Sequence, residues 1–112
     1  MAWTMDQVFE SKTLVNPMQV IGEYQFHVGK LETEITVRLL RPLRGEGIWW
    51  EQSHFIKTPT QLDVYMPGRP WGDYAEYALH LACTSITQYY DEAIKAGHDP
   101  VESWLVPNKT FA

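Results

Sequence analysis

Two neighbouring stretches in the first third of the chain alternate between apolar and polar residues. The apolar positions of the first stretch include Val20, Tyr24, Phe26 and Val28, and those of the second stretch include Leu31, Ile35, Val37 and Leu39. A period of two is typical of strands that bury one face. Gly29-Lys30 lies between the stretches, and a glycine in the first position suits a two-residue type II′ turn. The pattern therefore predicts an antiparallel hairpin.

The same pattern predicts how the two strands pair. Pairing Val28 with Leu31 across the turn sets Tyr24 opposite Ile35 and brings the large apolar side chains of both strands to one face. A shift of one residue would turn the whole apolar set of one strand toward water. We therefore expect this register and a buried Tyr24.

Weaker signals predict three further elements. They are a short helix over about 5–12, a third strand over about 48–56 and a short fourth strand over about 62–66. The helix is predicted because Thr4 and Gln7 have the spacing of a capping box. Alternation does not decide which face of the third strand is buried, because Trp50 and His54 share one face while Trp49 lies on the other.

From Trp71 onward the apolar residues recur at spacings of three and four, which predicts one long amphipathic helix that Gly97 would end. These apolar positions are Ala75, Ala78, Leu79, Ala82, Ile86, Tyr89, Tyr90 and Ala93. The helix and the sheet each have one apolar face to bury, so they must pack together. The sequence thus predicts a single α+β domain over residues 1–112. It has a mainly antiparallel four-stranded sheet (a β-meander), a long C-terminal helix on one face and a short N-terminal helix.

Composition narrows the functional classes. The formal net charge of −5 argues against non-specific nucleic-acid binding, which requires clustered Lys and Arg. The single cysteine, Cys83, excludes an internal disulfide and a zinc knuckle. Neither a secretory signal nor an apolar run long enough for a membrane span is present in the sequence. A reducing, cytoplasmic setting is the resulting expectation.

Aromatic residues supply the main functional candidates, since the chain has five Trp and six Tyr. Trp49 and Trp50 are adjacent on the predicted third strand and point to opposite faces. One of them must therefore be covered by the N-terminal helix, the tail, a second copy of the chain or a ligand. Exposed aromatic rings are enriched at interfaces and in ligand pockets. The candidate ligand or interface residues are Trp49, Trp50, His54, Tyr65, Trp71, Tyr74 and Tyr77.

The middle of the chain is its only basic part, because residues 38–69 carry a net charge of +2. Arg38, Arg41 and Arg44 are therefore candidate anion-binding residues, with Lys57 and Arg69 farther along the chain. The alternative is that these side chains form salt bridges with the acidic first and last thirds. The mild overall charge favours this alternative.

Three other groups of residues carry weaker chemical signals. Asp73, Glu76 and His80 share a helix face and could bind a divalent metal, but that face continues as a solvated face, so no metal site is predicted. His54 could be an acid–base group if it is buried, although no partner for it is identifiable. Cys83 lies within the helix without a cationic neighbour, and we expect it to be a packing residue.

The sequence has no phosphate-binding loop, dinucleotide-binding turn, zinc-protease motif or nucleophile elbow, and it resembles no family by its motifs. We therefore assign no catalytic residue and no cofactor. The favoured hypothesis is a non-catalytic binding or interaction module, as a homodimer or with another protein, that uses the uncovered sheet face or the aromatic-rich edge. The alternative is a small-molecule pocket, with enzymatic activity as an option, between sheet and helix. Trp50, His54, Tyr74 and Tyr77 would line it.

Overall fold

The computed structural model describes residues 2–112. In chain order the elements are α1 (Met5–Val8), β1 (Met18–Phe26), β2 (Ile35–Pro42), β3 (Ile48–Gln52), β4 (His54–Ile56), β5 (Trp71–Gly72), α2 (Ala75–Lys95), a 3₁₀ turn (Glu102–Trp104) and β6 (Leu105–Pro107). Strands β1, β2, β3 and β5 form a four-stranded antiparallel sheet in that order, and β4 pairs with β6. The predicted α+β class is confirmed.

The core lies between one face of the four-stranded sheet and α2. Alternate residues of β2 and β3 point toward the helix, where Ala78 and Ala82 leave room for close packing. The buried apolar residues of this sheet are Ile35, Val37, Leu39, Ile48 and Trp50. We call the opposite face of this sheet the outer face. The helix covers only one face of the sheet, so contacts on the outer face come from other parts of the chain or from partners.

The predicted register of the hairpin is wrong by two residues. In the structure Phe26 pairs with Ile35, and Tyr24 pairs with Val37 instead of Ile35. The turn at Gly29 does form, with a φ of 53°, but an eight-residue loop, 27–34, separates the strands. A shift of two residues keeps the side chains of 22–26 and of β2 on their predicted faces, which is why the sheet still buries the β2 positions that alternation predicts. The expectation of a buried Tyr24 is wrong, because its side chain is 45% exposed.

Distant side chains hold this loop open. The Glu102 carboxylate accepts hydrogen bonds from the N–H groups of Glu32 and Thr33 at 2.9 and 3.0 Å, and Tyr90 Oη accepts one from the N–H of Lys30 at 3.1 Å. These contacts satisfy backbone groups that a tight hairpin would have paired between strands. The wider loop therefore depends on residues 60 to 70 positions away in sequence.

A β-bulge interrupts β1. Val20 pairs with Leu40 while Gly22 pairs with Leu39, so Ile21 is an extra residue in the ladder. One inserted residue reverses the facing of the strand before it. Val20 and Met18 consequently lie on the outer face, and the prediction that Val20 is buried in the sheet core is also wrong.

The predicted third strand is two strands in the structure. β3 ends at Gln52, and at Ser53 the chain turns so that β4 pairs with β6. Ser53 fixes this turn, because its Oγ accepts a hydrogen bond from the N–H of Thr36 at 2.8 Å and its N–H donates to the carbonyl of Thr36 at 2.9 Å. As a result, Gln52 lies beside Val37 in the four-stranded sheet, and His54 lies on β4 outside that sheet.

The predicted fourth strand over residues 62–66 is a loop with a single bridge, between Tyr65 and Ile56. Gln61 closes this loop, since its amide accepts from the N–H of Thr58 at 2.8 Å and donates to the carbonyl of Ile56 at 3.1 Å. The fourth strand of the sheet is β5 instead, which pairs with β3.

Helix α2 is unbroken over 21 residues. It ends as predicted at Gly97, whose φ of 88° places it in the left-handed region. The N–H of Gly97 donates to the carbonyl of Ile94, and the N–H of His98 donates to the carbonyl of Ala93, both at 3.0 Å. This pair of bonds is the Schellman arrangement, in which glycine avoids the steric cost of a positive φ.

The molecule is elongated, with principal extents of 64 × 23 × 23 Å and a radius of gyration of 17.1 Å. A compact chain of this length would have a radius of gyration of about 13 Å. The predicted N-terminal helix forms, with its capping box between Thr4 and Gln7, but it spans only Met5–Val8 and buries no residue. The N-terminal segment therefore extends away from the core.

Candidate binding surface

Trp50 belongs to the core. It is 4% exposed, and its Nε1–H donates to Gln52 Oε1 at 2.9 Å. The Gln52 amide donates in turn to the carbonyl of His54 at 2.9 Å and to Ser85 Oγ at 3.3 Å. These bonds satisfy a polar group that would otherwise be costly to bury. They also fix which face of β3 is buried, so Trp49 points to the outer face.

Trp49 is part of an apolar row that crosses the outer face. The pairs Val20 with Leu40, Leu40 with Trp49, and Trp49 with Trp71 connect β1, β2, β3 and β5. Directly paired residues of antiparallel strands lie on the same face. The four side chains, Val20, Leu40, Trp49 and Trp71, therefore form one continuous strip, which we call the apolar row.

Arg69 lies over the two indoles of this row. Its guanidinium carbon is 4.5 Å from the ring centroid of Trp71 and 5.9 Å from that of Trp49, within range of a cation–π interaction. A hydrogen bond fixes the Trp71 ring, because its Nε1–H donates to the carbonyl of Glu46 at 3.0 Å. Gly47, with a φ of 77°, lies so close that an added Cβ would be 2.2 Å from the Trp71 ring. Only glycine fits there.

Beside the row is a groove with a volume of about 1030 Å³, which we call the indole groove. Its lining residues are Lys12, Leu14, Val15, Asn16, Pro17, Met18, Pro42, Arg44, Gly45, Glu46, Trp49, Arg69 and Trp71. Three are cationic and one is anionic, so the lining carries a net charge of +2. Within residues 2–112, the ion pairs are those of Arg38. Lys12, Arg44 and Arg69 therefore have no carboxylate partner there.

The three predicted anion-binding arginines do not lie together. Arg38 forms ion pairs with Glu23 and Glu51, both at 3.0 Å, and the ring of Phe111 lies 4.6 Å from its guanidinium. Arg41 donates to the Gln19 side chain. Of the three, Arg44 lines the indole groove. The C-terminal tail thus covers the middle of the outer face and leaves the groove open.

The remaining aromatic candidates are dispersed. Tyr65 packs against Tyr89, with ring centroids 5.3 Å apart. Tyr74 and Tyr77 lie near the start of α2, with centroids 5.9 Å apart, and both are exposed. They do not line a common pocket with Trp50, which is buried elsewhere under the helix.

His54 lies half-buried on β4, and burial lowers its pKa from 6.5. The Ser53 hydroxyl is 2.8 Å from its Nδ1. Since Ser53 Oγ already accepts a hydrogen bond from Thr36, its O–H is free to donate to Nδ1, which favours the tautomer with the proton on Nε2. This arrangement orients the imidazole, and among residues 2–112 His54 forms no ion pair with a carboxylate.

The remaining chemical candidates from the sequence are the Asp73, Glu76 and His80 group and Cys83. Asp73, Glu76 and His80 do not come together, and the described part of the chain has no cluster of three His, Cys, Asp or Glu residues suited to a metal ion. Cys83 is half-buried in α2, and burial raises the pKa of its thiol. A thiol with a raised pKa is a weak nucleophile near neutral pH.

A second surface is the open edge of the sheet. Between residues 2 and 112, sixteen large apolar side chains are more than a third exposed, and nine of them lie in the first 24 residues. Four of these nine, Met18, Val20, Ile21 and Tyr24, belong to β1. β1 is the edge strand of the sheet. Apolar exposure concentrated in one place indicates an interaction surface, whereas scattered exposure does not.

Sequence reasoning missed that Lys12 and Met18 line the indole groove and that Val20 lies on the outer face. The only local signal was the run Val20-Ile21-Gly22, in which period two breaks down at a glycine. Such an interruption within a strand indicates a bulge. The bulge turns Met18 outward, where it lines the groove together with residues 12–17 of the N-terminal segment.

Comparison with models of protein families, with curated proteins and with solved structures finds no match for this chain. Among the helices of residues 2–112, none combines the length and the apolar character needed to cross a bilayer. Function must therefore be argued from the surfaces themselves.

Proposed function

We propose that this chain is a non-catalytic interaction module that forms a homodimer through the open edge of β1. The observation that supports the proposal is the coincidence of two features on one strand. β1 is a nine-residue edge strand, and its apolar side chains are exposed. A long apolar edge without protection is a template for pairing with another strand.

The backbone of β1 has free hydrogen-bonding groups. Thr36 exchanges backbone and side-chain bonds with Ser53 on the β3 side, so its neighbours in β2 bond to β1. Their partners Tyr24 and Phe26 consequently turn their N–H and C=O groups toward β2. Residues 23 and 25 turn theirs outward, where a further strand would bond to them.

The sequence of β1 favours a second copy as the added strand. Its only charged residue is Glu23, and it has no Lys or Pro, which commonly protect sheet edges. In an antiparallel pair centred on Tyr24, Glu23 of one copy lies opposite Gln25 of the other, so the two carboxylates do not face each other. The two Tyr24 rings then meet at the twofold axis, where cross-strand aromatic pairs are favourable.

The first experiment is the mass of the wild-type chain in solution, measured by size-exclusion chromatography with light scattering over a wide range of concentration. We expect a species of twice 13.0 kDa. Tyr24→Lys should weaken dimerisation by about tenfold, because it removes the aromatic pair and places like charges opposite each other. Tyr77→Lys is the matched control, since Tyr77 is 40% exposed and Tyr24 is 45% exposed.

Gln25→Pro tests the edge in a second way. It removes an outward N–H and adds a ring that blocks a neighbouring strand, while the β1–β2 bonds are retained. We expect a folded monomer, with folding checked by circular dichroism. A wild-type chain that stays monomeric at high concentration contradicts the proposal, and so does a dimer that tolerates both β1 substitutions.

A further inference from the structure

The indole groove has the features of a site for a flat anion. Trp49 and Trp71 offer aromatic surface, and Arg69 lies over both rings. Lys12 and Arg44 line the same groove. Flat rings stack on indoles, and anions bind guanidinium and ammonium groups. The groove therefore combines surfaces for the two parts of one ligand.

The charge of the groove differs from that of the chain. The chain has a formal net charge of −5, but the groove lining carries +2, and its three cations have no carboxylate partner among residues 2–112. The acidic remainder repels a long polyanion, whereas a compact ligand with one anionic group interacts mainly with the local positive charge. This contrast favours a small anion over a nucleic-acid strand.

The shape of the groove fits a ligand of this size. Its volume of about 1030 Å³ lies at the upper end of the usual range for small-molecule sites. Trp71 is fixed by its bond to the carbonyl of Glu46 and by the close approach of Gly47. A ring that is already held in place loses little conformational freedom when a ligand stacks on it.

We infer that the indole groove binds a small aromatic anion, whose ring stacks on Trp49 and Trp71 and whose acidic group pairs with Arg69 and Arg44. This site lies on the outer face, separate from the sheet–helix pocket considered from the sequence. Met18 is the one residue of β1 that lines the groove, and the substitutions that test dimerisation are at Tyr24 and Gln25, so dimerisation and ligand binding are tested separately.

The test uses 8-anilinonaphthalene-1-sulfonate as the probe, with binding to the full chain measured by calorimetry and by quenching of tryptophan fluorescence. We expect saturable binding with one site per chain. The uncharged N-phenyl-1-naphthylamine and inorganic phosphate serve as comparison probes, since one lacks the anion and the other lacks the ring. Both should bind at least about tenfold more weakly, as each loses one of the two interactions.

Substitutions then locate the site. Arg69→Gln and Arg44→Gln should each weaken binding of the sulfonate by about tenfold, the usual effect of losing one charged hydrogen bond. Arg41→Gln removes the same charge outside the groove and should leave binding unchanged. Circular dichroism checks that each variant folds. If Arg69→Gln does not fold, Arg44→Gln still tests the site.

Competition experiments distinguish two classes of natural ligand, a nucleotide and an aromatic carboxylic acid. Displacement of the probe by adenosine monophosphate points to a nucleotide, and displacement by naphthalene-2-carboxylate points to an aromatic carboxylic acid. Three results would overturn the inference: equal affinity for the neutral ring, equal loss of binding in Arg41→Gln and Arg69→Gln, or displacement by neither competitor.

Discussion

The packing of α2 on the sheet makes a sharp prediction at Gly72. This residue is buried in β5 on the side that faces the helix, where it pairs with Ile48. A Cβ added at Gly72 would lie 2.9 Å from both the N and the Cα of Ala78 and 3.2 Å from its Cβ. The obstacle is helix backbone, which cannot rotate away as a side chain can. Gly72→Ala must therefore displace either β5 or the start of α2.

The size of the effect follows from two opposing terms. Overpacking of this kind costs about 1–3 kcal/mol. The φ of Gly72 is negative, so alanine has no left-handed strain and gains about 0.4–1 kcal/mol from a more restricted unfolded chain. The net loss is about 1–2 kcal/mol, which for a chain of this size lowers Tm by roughly 4–8 °C.

Urea and thermal unfolding followed by circular dichroism measure this loss. Gly68→Ala is the matched control, because a Cβ at Gly68 meets nothing within 4 Å and its φ is also negative. We expect the control to be as stable as the wild type or slightly more stable. A Gly72→Ala variant that equals the Gly68→Ala variant would refute the close approach of β5 to α2.

Two further predictions concern pH. Hydrogen bonds from the Glu32 backbone and the Thr33 side chain lower the pKa of Glu102, so its stabilisation of the loop is present above the ordinary value near 4.5 and is lost as the pH falls through the lowered one. The protection of the Glu32 and Thr33 amides from exchange, relative to their intrinsic rates, should fall in acid and, in Glu102→Gln, already at neutral pH; unchanged protection argues against these hydrogen bonds. Burial lowers the pKa of His54, so stability should decline as the pH falls from 6.5 through the folded value. An NMR titration midpoint at or above 6.5 would contradict this.

The sequence predicts the helix and the buried face of β2 because both depend on periodicity. The α2 stripe repeats at three and four residues, and a 21-residue helix follows it. In β2 the alternation of Ile35, Val37 and Leu39 is enough to determine which face is buried. A shift of two residues in pairing leaves these faces unchanged, so the architecture is robust to an error in the turn.

The register of the hairpin lies beyond local reasoning. The glycine turn forms as its sequence suggests, but Tyr90 and Glu102 hold the flanking loop residues away from a tight hairpin. Both partners are 60 or more residues away. Turn preferences describe the isolated segment, and here tertiary hydrogen bonds outweigh them.

Alternation alone does not decide which face of β3 is buried. A difference between two polar residues, Gln52 and Glu51, decides it. These two residues are adjacent on the strand, so one orientation of β3 buries Gln52 and the other buries Glu51. Gln52 is neutral, and hydrogen bonds with Trp50 and Ser85 satisfy it inside, whereas Glu51 keeps an ion pair with Arg38 on the outer face. Burying a carboxylate costs far more than burying a bonded amide. That comparison identifies Trp49 as the outward indole.

The bulge in β1 connects the two proposed surfaces. Had β1 continued in register through Ile21, the chain before it would keep the facing of Gly22–Phe26, and Val20 would lie on the helix side. The extra residue instead turns both side chains outward, where Val20 begins the apolar row and Met18 lines the groove. The regular half after the bulge retains outward backbone groups for pairing. One inserted residue thus lets a single strand contribute to a ligand groove with one half and to a dimer edge with the other.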